Sequence, residues 1–344
     1  MVRMRWFYAL FALGCLGLPG CTFNLPLGLG DDRGKLSGEV VEKADHFWTL
    51  NEILMIPLSG LVDIGGERAT LGEPGMLVGL KDQLKAAEEN PQIKAVILRV
   101  DSPGGSVTAS DLIYQEIKRF KEKERGFDKH KIPVLVEMID LAASGGFYIS
   151  MPADEIYALP TTITGSIGVI TMLPGIKSLS DKIGLEMRVI KSGANKDAGS
   201  FWREMTPEQR EIFQGLIDKD YQLFLKVILD NRQAKGLTPE KLKALADGRV
   251  FDAQTALDNH LIDGIKYPQE VFERAKQLAG IKDARLVTYE YPFAYRGNLY
   301  ARAPAPEPQT RKQSGGGDFN LLKLDLGALS DLGQGPRFMY LCLP

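Results

Sequence analysis

Histidine and cysteine are scarce in this chain of 344 residues, with three of each. Three cysteines cannot build the disulfide framework of a small secreted domain. Three histidines leave a nucleophilic enzyme few conventional bases. An excess of positive charge is also missing: 42 Lys and Arg stand against 44 Asp and Glu, a formal net charge of −2. That balance excludes a nucleic-acid binder relying on bulk positive charge. The chain has no internal repeat. What is present is the composition of a folded protein, with 44% hydrophobic and 25% charged residues, which rules out disorder along the whole chain. The length suits one large domain or two small ones.

The two ends depart from this average. Arg3 and Arg5 precede Trp6 to Leu18, a stretch without charge. A basic start and an apolar run of this length read as a signal peptide, short for a membrane span. The run closes on Leu18-Pro19-Gly20-Cys21, which resembles a bacterial lipobox whose Cys21 becomes the lipid-modified first residue. A plain signal peptide, or an uncleaved anchor with an incidental Cys21, fits the same pattern. Each reading places the body outside the cytoplasm at or near a membrane. A lipidated Cys21 leaves Cys342 without a disulfide partner. Near the other end, 301–317 shifts to Pro, Gln, Ser and Gly and reads as a linker. The apolar stretch 318–344 is too short to fold alone and reads as a docking tail.

Between the ends, the pattern alternates. Ile53 to Leu58, Ala95 to Val100 and Pro133 to Met138 are apolar runs of buried-strand type. Met76 to Asn90 and Ser106 to Lys123 have helical spacing. This order predicts an α/β fold, a parallel sheet with helices on its faces. Further on, Thr206-Pro207-Glu208-Gln209 carries a capping box and opens the longest helix. Shorter helices are predicted over Pro239 to Ala246, Ala253 to Asn259 and Gln269 to Ala279. Thr22 to Phe47, with weak periodicity, reads as a tether.

Three glycine-containing turns follow strand-like runs. In Asp101-Ser102-Pro103-Gly104-Gly105-Ser106, successive glycines leave backbone N–H groups open toward a helix start, where negative charge is favoured. Such a turn holds a developing oxyanion or is simply tight. In Ala142-Ala143-Ser144-Gly145-Gly146-Phe147-Tyr148, Ser144 is flanked by small residues and is either an open nucleophile or a helix cap. The N–H of Gly145 stands where a second oxyanion donor is needed. The third turn is Thr164-Gly165-Ser166-Ile167-Gly168-Val169.

A nucleophilic serine needs a base. His46 lies in the tether, His130 in a charged loop, and His260 beside Leu261-Ile262-Asp263 near a helix end. None sits in a glycine-rich turn, although His260 remains open as a base. Lysine can replace histidine if burial brings its pKa from ~10.4 toward ~7–8. Lys196 follows the strand-like run Met187 to Ile190, but spacing alone does not promote it over a surface lysine.

Taken together, the motifs resemble the bacterial signal peptide peptidase A (protease IV) family of serine proteases, within the ClpP/crotonase superfamily. The pieces are Ile56-Pro57-Leu58-Ser59-Gly60, Leu98 to Gly105, Ala143-Ser144-Gly145-Gly146-Phe147-Tyr148, Thr164 to Val169, Ser192-Gly193 with Lys196-Asp197, and Asp247-Gly248-Arg249-Val250-Phe251. They fall in the family's order over roughly Ile53 to Ala279. The resemblance implies a superhelical core of parallel sheet and helices with added C-terminal helices. It implies a Ser–Lys dyad of Ser144 and Lys196, a third hydroxyl, Ser166, that hydrogen-bonds the lysine, and oxyanion donors on Gly145 and on Gly104 or Gly105. No metal, nucleotide or other cofactor is implied. Asp101 stands where Asn is common in the family, and Phe147 where Tyr is common.

The expected organisation is a signal peptide at 1–20, a tether at 21–50, a catalytic domain at 51–300, then linker and tail. The implied substrates are extended peptides, left-over signal peptides above all. The implied partners are a membrane, through Cys21 or the N-terminal segment, and further copies of the chain; whether Ser144 and Lys196 meet within one chain or across an interface stays open. Two rivals stand beside this reading. One is a ClpP- or crotonase-like enzyme with another base such as His260; the other is a silent membrane-attached scaffold.

Overall fold

Continuous apolar runs make strands that are buried on both faces, and such strands belong to parallel sheets covered by helices. The computed structural model builds this arrangement. It describes residues 36–46, 48–64, 75–126, 130–290 and 339–342, all within the compact unit Leu36–Pro344. The export segment, Cys21 and the linker at 301–317 lie outside the described residues.

In chain order the first half contains β1 (Ser37–Glu42), β2 (Glu52–Ser59), α1 (Met76–Glu89), β3 (Ile93–Ser102), β4 (Gly104–Ser106), α2 (Val107–Glu122), β5 (Val134–Ala143) and α3 (Gly145–Ser150). There follow β6 (Glu155–Ala158), β7 (Ile163–Gly165), α4 (Lys177–Ile183), α5 (Pro207–Arg232), α6 (Pro239–Leu245), β8 (Val250–Asp252) and α7 (Ala253–Asp258). The last elements are β9 (Gly264–Ile265), α8 (Pro268–Leu278), β10 (Arg285–Glu290) and β11 (Met339–Leu341). The main sheet runs β1-β10-β2-β3-β5-β6-β9, with β7 beside β5 and β8 beside β7. Its inner pairings are parallel, while β1 on β10 and β8 on β7 are antiparallel. The fold is α/β.

Two cores follow from the period-2 alternation of strand side chains. Leu54, Leu98 and Val136 point to the larger core, where α1, α2, α3 and α5 pack. Ile53, Ile97 and Leu135 point to the smaller one, which α8 covers with Val271, Phe272 and Ala275. Helix α2 presents Ile113, Ile117 and Phe120 at helical spacing, each fully buried, and its start is capped by Ser106, whose hydroxyl accepts from Ala109. The Thr206–Gln209 capping box opens α5.

Two local expectations fail. Residues 37–42 fall in the expected tether, yet form β1, the edge strand that pairs with β10. Their partner lies some 250 residues away in sequence, and local periodicity carries no trace of such a pairing. Met187 to Ile190 has the composition of a strand but pairs with no strand among the described residues; Met187 and Val189 are half exposed and Ile190 fully exposed. A β-favouring run becomes a strand only when a neighbouring strand takes up its backbone groups.

Candidate active site

Strand β5 ends at Ala143, and the chain turns sharply into α3 at Ser144. That residue holds φ +54 and ψ −113, a conformation non-glycine residues rarely adopt and one that clusters at functional sites. The main chain is pinned on both sides: the Ser144 N–H donates to the Gly165 carbonyl at 2.7 Å, and its carbonyl accepts from Tyr148 N at 2.9 Å. The hydroxyl does not cap α3. It is buried and has no hydrogen-bond partner among the described residues, in a residue only 1% exposed. A buried hydroxyl left unpaired costs about 1–3 kcal/mol and calls for an explanation. Of the two sequence alternatives for Ser144, the helix-capping one is removed.

The glycine turn after β3 packs directly on this elbow. A Cβ on Gly145 would lie 2.7 Å from Ser110 Oγ and 3.0 Å from both Gly104 Cα and Gly105 N; one on Gly146 would meet the Ser102 carbonyl at 2.6 Å. Only glycine permits this approach. The Gly104 N–H donates to Ser102 Oγ at 3.1 Å, so service as an oxyanion donor requires it to give up that bond. Asp101 accepts from the Leu141 N–H at 3.3 Å, tying the end of β3 to β5.

Ser166 follows Gly165 and also has positive φ, +49. Its N–H donates to the Arg249 carbonyl at 2.8 Å. The motif Asp247 to Phe251 thereby holds the third turn in place, through β8 on β7 and through the Phe251 ring, which fills the space a Cβ on Gly165 would need. Beside Ser166 opens a cleft of about 600 Å³ whose lining includes Gly168, Ile170, Tyr221, Gly248 and Leu341.

Helix α3 is locked from behind. Tyr148 donates to Asp111 at 2.9 Å, and burial together with that carboxylate pushes its phenol well above the usual range. Tyr148 also packs edge-on against Tyr114. These contacts have no local sequence signal, because they join two separate helices, α2 and α3.

Ser144, Gly145, Gly104, Gly105 and Ser166 are thus brought together by three adjoining turns. Lys196 is not among them. It lies on the exposed segment after α4 and makes no ion pair with any described residue. Its loop is nevertheless ordered. The next residue, Asp197, accepts from Arg203 at 2.6 and 2.9 Å and from Lys191 at 2.7 Å. These bonds from Arg203 and Lys191 hold its carboxyl far below the usual range. Gln209, buried at the start of α5, reaches the Ala194 carbonyl at 3.3 Å. Arg203 clamps this loop through Asp197, and no sequence signal singles it out, six positions from Asp197 with no regular structure between them.

His260 lies elsewhere. Three residues later, Asp263 accepts from Ile156 N at the start of β6, and Ile156 is in register with Val136. Ser144 stands eight residues further along β5, roughly 25 Å at the rise of a strand. The His260 carbonyl accepts from Arg232 at 2.8 Å, and its ring rests beside Gly236.

A strained, small-flanked serine at a strand-to-helix turn, packed against a second glycine turn, is the arrangement of a serine-hydrolase site. Residues 126–282 match the family described as Peptidase family S49. A putative protease of Synechocystis is 37% identical over 233 residues, covering 68% of this chain and 76% of its own. A putative signal peptide peptidase SppA of Enterococcus faecium is 34% identical over 256 residues, 74% of this chain and 72% of its own. A chloroplastic serine protease SPPA of Arabidopsis thaliana is 34% identical over 250 residues, 70% of this chain and 35% of its own. The chain belongs to peptidase family S49, and its α/β sheet is the ClpP-like fold of that family. It is a serine-type peptidase.

Proposed function

We propose that this peptidase cuts extended peptides at a membrane, with Ser144 as nucleophile and Lys196 of a second copy as general base. The carrying observation is the Ser144 hydroxyl, buried and unpartnered on a strained elbow beside Gly145. No described residue takes the Ser144 proton, while Lys196 is exposed on a segment rich in exposed apolar residues. Leu179, Ile183, Leu185, Met187 and Ile190 are each half exposed or more, and exposed apolar side chains gathered in one segment suit an interface between copies. A second copy covering that face would desolvate the lysine, which general-base catalysis near neutral pH requires.

In this reading the Lys196 amine takes the hydroxyl proton as Oγ bonds to the scissile carbonyl carbon. The oxyanion is held by N–H groups of Gly145 and the Gly104-Gly105 turn. The C–N bond then breaks, and the ammonium returns its proton to the leaving amine. Water, deprotonated by the same lysine, releases the acyl group. Ser166, near the junction, hydrogen-bonds the lysine. The substrates are residual signal peptides, consistent with the name of the Enterococcus relative. The N-terminal segment, through a lipid on Cys21 or as an anchor, holds the protein on the outer side of the cytoplasmic boundary. Among the described residues no helix is long and apolar enough to cross a membrane.

A fluorophosphonate probe tests the nucleophile. Labelling that maps to Ser144 and vanishes in Ser144→Ala is expected. A folded protein that stays unlabelled would favour the silent scaffold.

A further inference from the structure

The general base proposed above sits next to an acid. Asp197 follows Lys196 directly, and a bare carboxylate beside an amine favours the ammonium form. A lysine held as ammonium cannot take the Ser144 proton. The structure meets this conflict at Asp197 itself. Arg203 grips the carboxylate as a fork, from Nη2 to Oδ1 at 2.6 Å and from Nε to Oδ2 at 2.9 Å, and Lys191 Nζ adds a third bond to Oδ1 at 2.7 Å. Forked arginine–carboxylate pairs are strong and fixed in direction. These bonds hold the Asp197 carboxyl far below the usual range, so it stays ionised near neutral pH. Two cations on one carboxylate leave a net positive charge. The acid beside Lys196 thereby becomes part of a group that repels a proton.

The same side chains fix the loop. Lys191 Nζ also donates to the Ala194 carbonyl at 3.0 Å. Gln209, 2% exposed in the first turn of α5, donates to that carbonyl and to Asn195 Oδ1 at 3.3 and 3.4 Å. Arg203 in turn donates to Gln209 Oε1 at 3.1 Å. Residues on both sides of Lys196 are therefore tied to α5, and its own N–H donates to the Gly193 carbonyl at 3.2 Å. The loop also meets α4, where Ile176 N donates to the Phe201 carbonyl at 2.7 Å. The charges that the two helices bring are bonded elsewhere or exposed. Lys177 pairs with Asp181 at 2.6 Å, Glu208 bonds its own N–H and the Thr206 hydroxyl, and Lys182, Glu204 and Arg210 stand exposed.

We propose that Arg203 and Lys191 are positioning residues for the general base: bound to Asp197, they hold the Lys196 loop in one shape and reverse the sign of the charge beside the lysine, so that its amine is free to accept a proton. The inference rests on the reading of Lys196 as the base for Ser144. Asp197 is the group through which both cations act, and shape and charge are separable by substitution.

The test is the rate at which a fluorophosphonate labels Ser144 in the full-length chain, followed against pH. The rate falls on the acid side as the base gains its proton, and the midpoint of that fall is the readout. Arg203→Gln and Lys191→Met should each move the midpoint upward, by about half a pH unit or more for one unit charge. Asp197→Asn should move it downward by a similar amount, because two cations then face the lysine without their anion. Asp197→Asn combined with Arg203→Gln restores the parent net charge and should restore the parent midpoint, while labelling stays slow without the fork. Arg203→Lys keeps the charge and loses the fork; its midpoint should hold while its rate drops about tenfold. A loosened loop by itself slows every variant and cannot move midpoints in opposite directions. Midpoints that stay put, or that move the same way in Asp197→Asn and Arg203→Gln, refute the proposal. Lys191→Met alters an exposed side chain and decides the matter should a clamp variant not fold; an unmoved midpoint there is a refutation. Labelling of Lys196→Ala at the parent rate would end the base reading. Loss of labelling in Lys196→Ala, with unmoved midpoints in the clamp variants, would end this inference alone.

Discussion

Gly104 and Gly145 approach so closely that neither has room for a methyl group. A Cβ on Gly104 would lie 2.6 Å from the Gly145 nitrogen, and one on Gly145 would lie 3.0 Å from Gly104 Cα. The obstacle is backbone, which cannot swing aside. Gly145→Ala is expected to cost about 1–3 kcal/mol of stability through overpacking. Its effect on turnover is expected to be larger, about 100-fold, if the Gly145 N–H is the oxyanion donor proposed above. Thermal unfolding and hydrolysis of a peptide ester separate the two effects. Near-normal turnover in the variant would remove this turn from the catalytic surface.

Within one chain the Ser144 hydroxyl makes no hydrogen bond to Lys196, and a dyad shared between copies has its own consequence. Ser144→Ala and Lys196→Ala should each be inactive alone. Mixed and reassembled, they should recover activity, since a copy with intact Ser144 can meet a copy with intact Lys196. Random mixing of equal amounts restores about a quarter of the sites when each site draws one residue from each of two copies. Activity of the mixture is the measurement, with the oligomer followed by light scattering. A mixture as dead as its parts would place both residues of the working site in one chain.

Asp263 gives a stability prediction remote from catalysis. Burial alone would raise its carboxyl, but Arg232, with help from Lys235 and the Ile156 N–H, draws it below the usual range. A carboxyl lowered in the folded state contributes stability that is complete above its unfolded pKa of ~3.9 and is lost as pH falls through the lower folded value. Asp263→Asn leaves Arg232, 1% exposed, without its counter-charge. The expected cost is about 3 kcal/mol at neutral pH, the lower end for a broken buried pair. Urea midpoints at pH 7 and pH 3 check it, and the difference between variant and parent should shrink at the acid value.

His260 holds φ +60 in the turn after α7, a conformation glycine adopts without strain. His260→Gly should keep kcat/KM within about twofold and should not lower Tm, as for a substitution away from chemistry and core. A large loss of kcat at unchanged Tm would revive this histidine as a base.

Much of this protein is written locally. Thr206 and Gln209 mark the start of α5 because a capping box needs only residues three apart. Ile113, Ile117 and Phe120 mark the buried face of α2 for the same reason, and the apolar runs of β2, β3 and β5 are legible because burial on both faces removes polar alternation. The glycines of the two packed turns also stand out, although the contact that requires them does not.

The tertiary structure decided what depends on partners distant in sequence. Ser144 as cap or nucleophile turns on a backbone angle imposed by Gly165 and the β5–β7 pairing. Met187 to Ile190 has the residues of a strand and no strand beside it, whereas Ser37–Glu42 lacks a clear pattern and finds β10. The Asp197–Arg203 clamp and the seating of Tyr340 between Tyr148 and Phe224 are likewise unreadable in sequence. Periodicity reports the face a segment buries; it does not report which remote segment covers that face, and the active-site geometry of this chain is set by those choices.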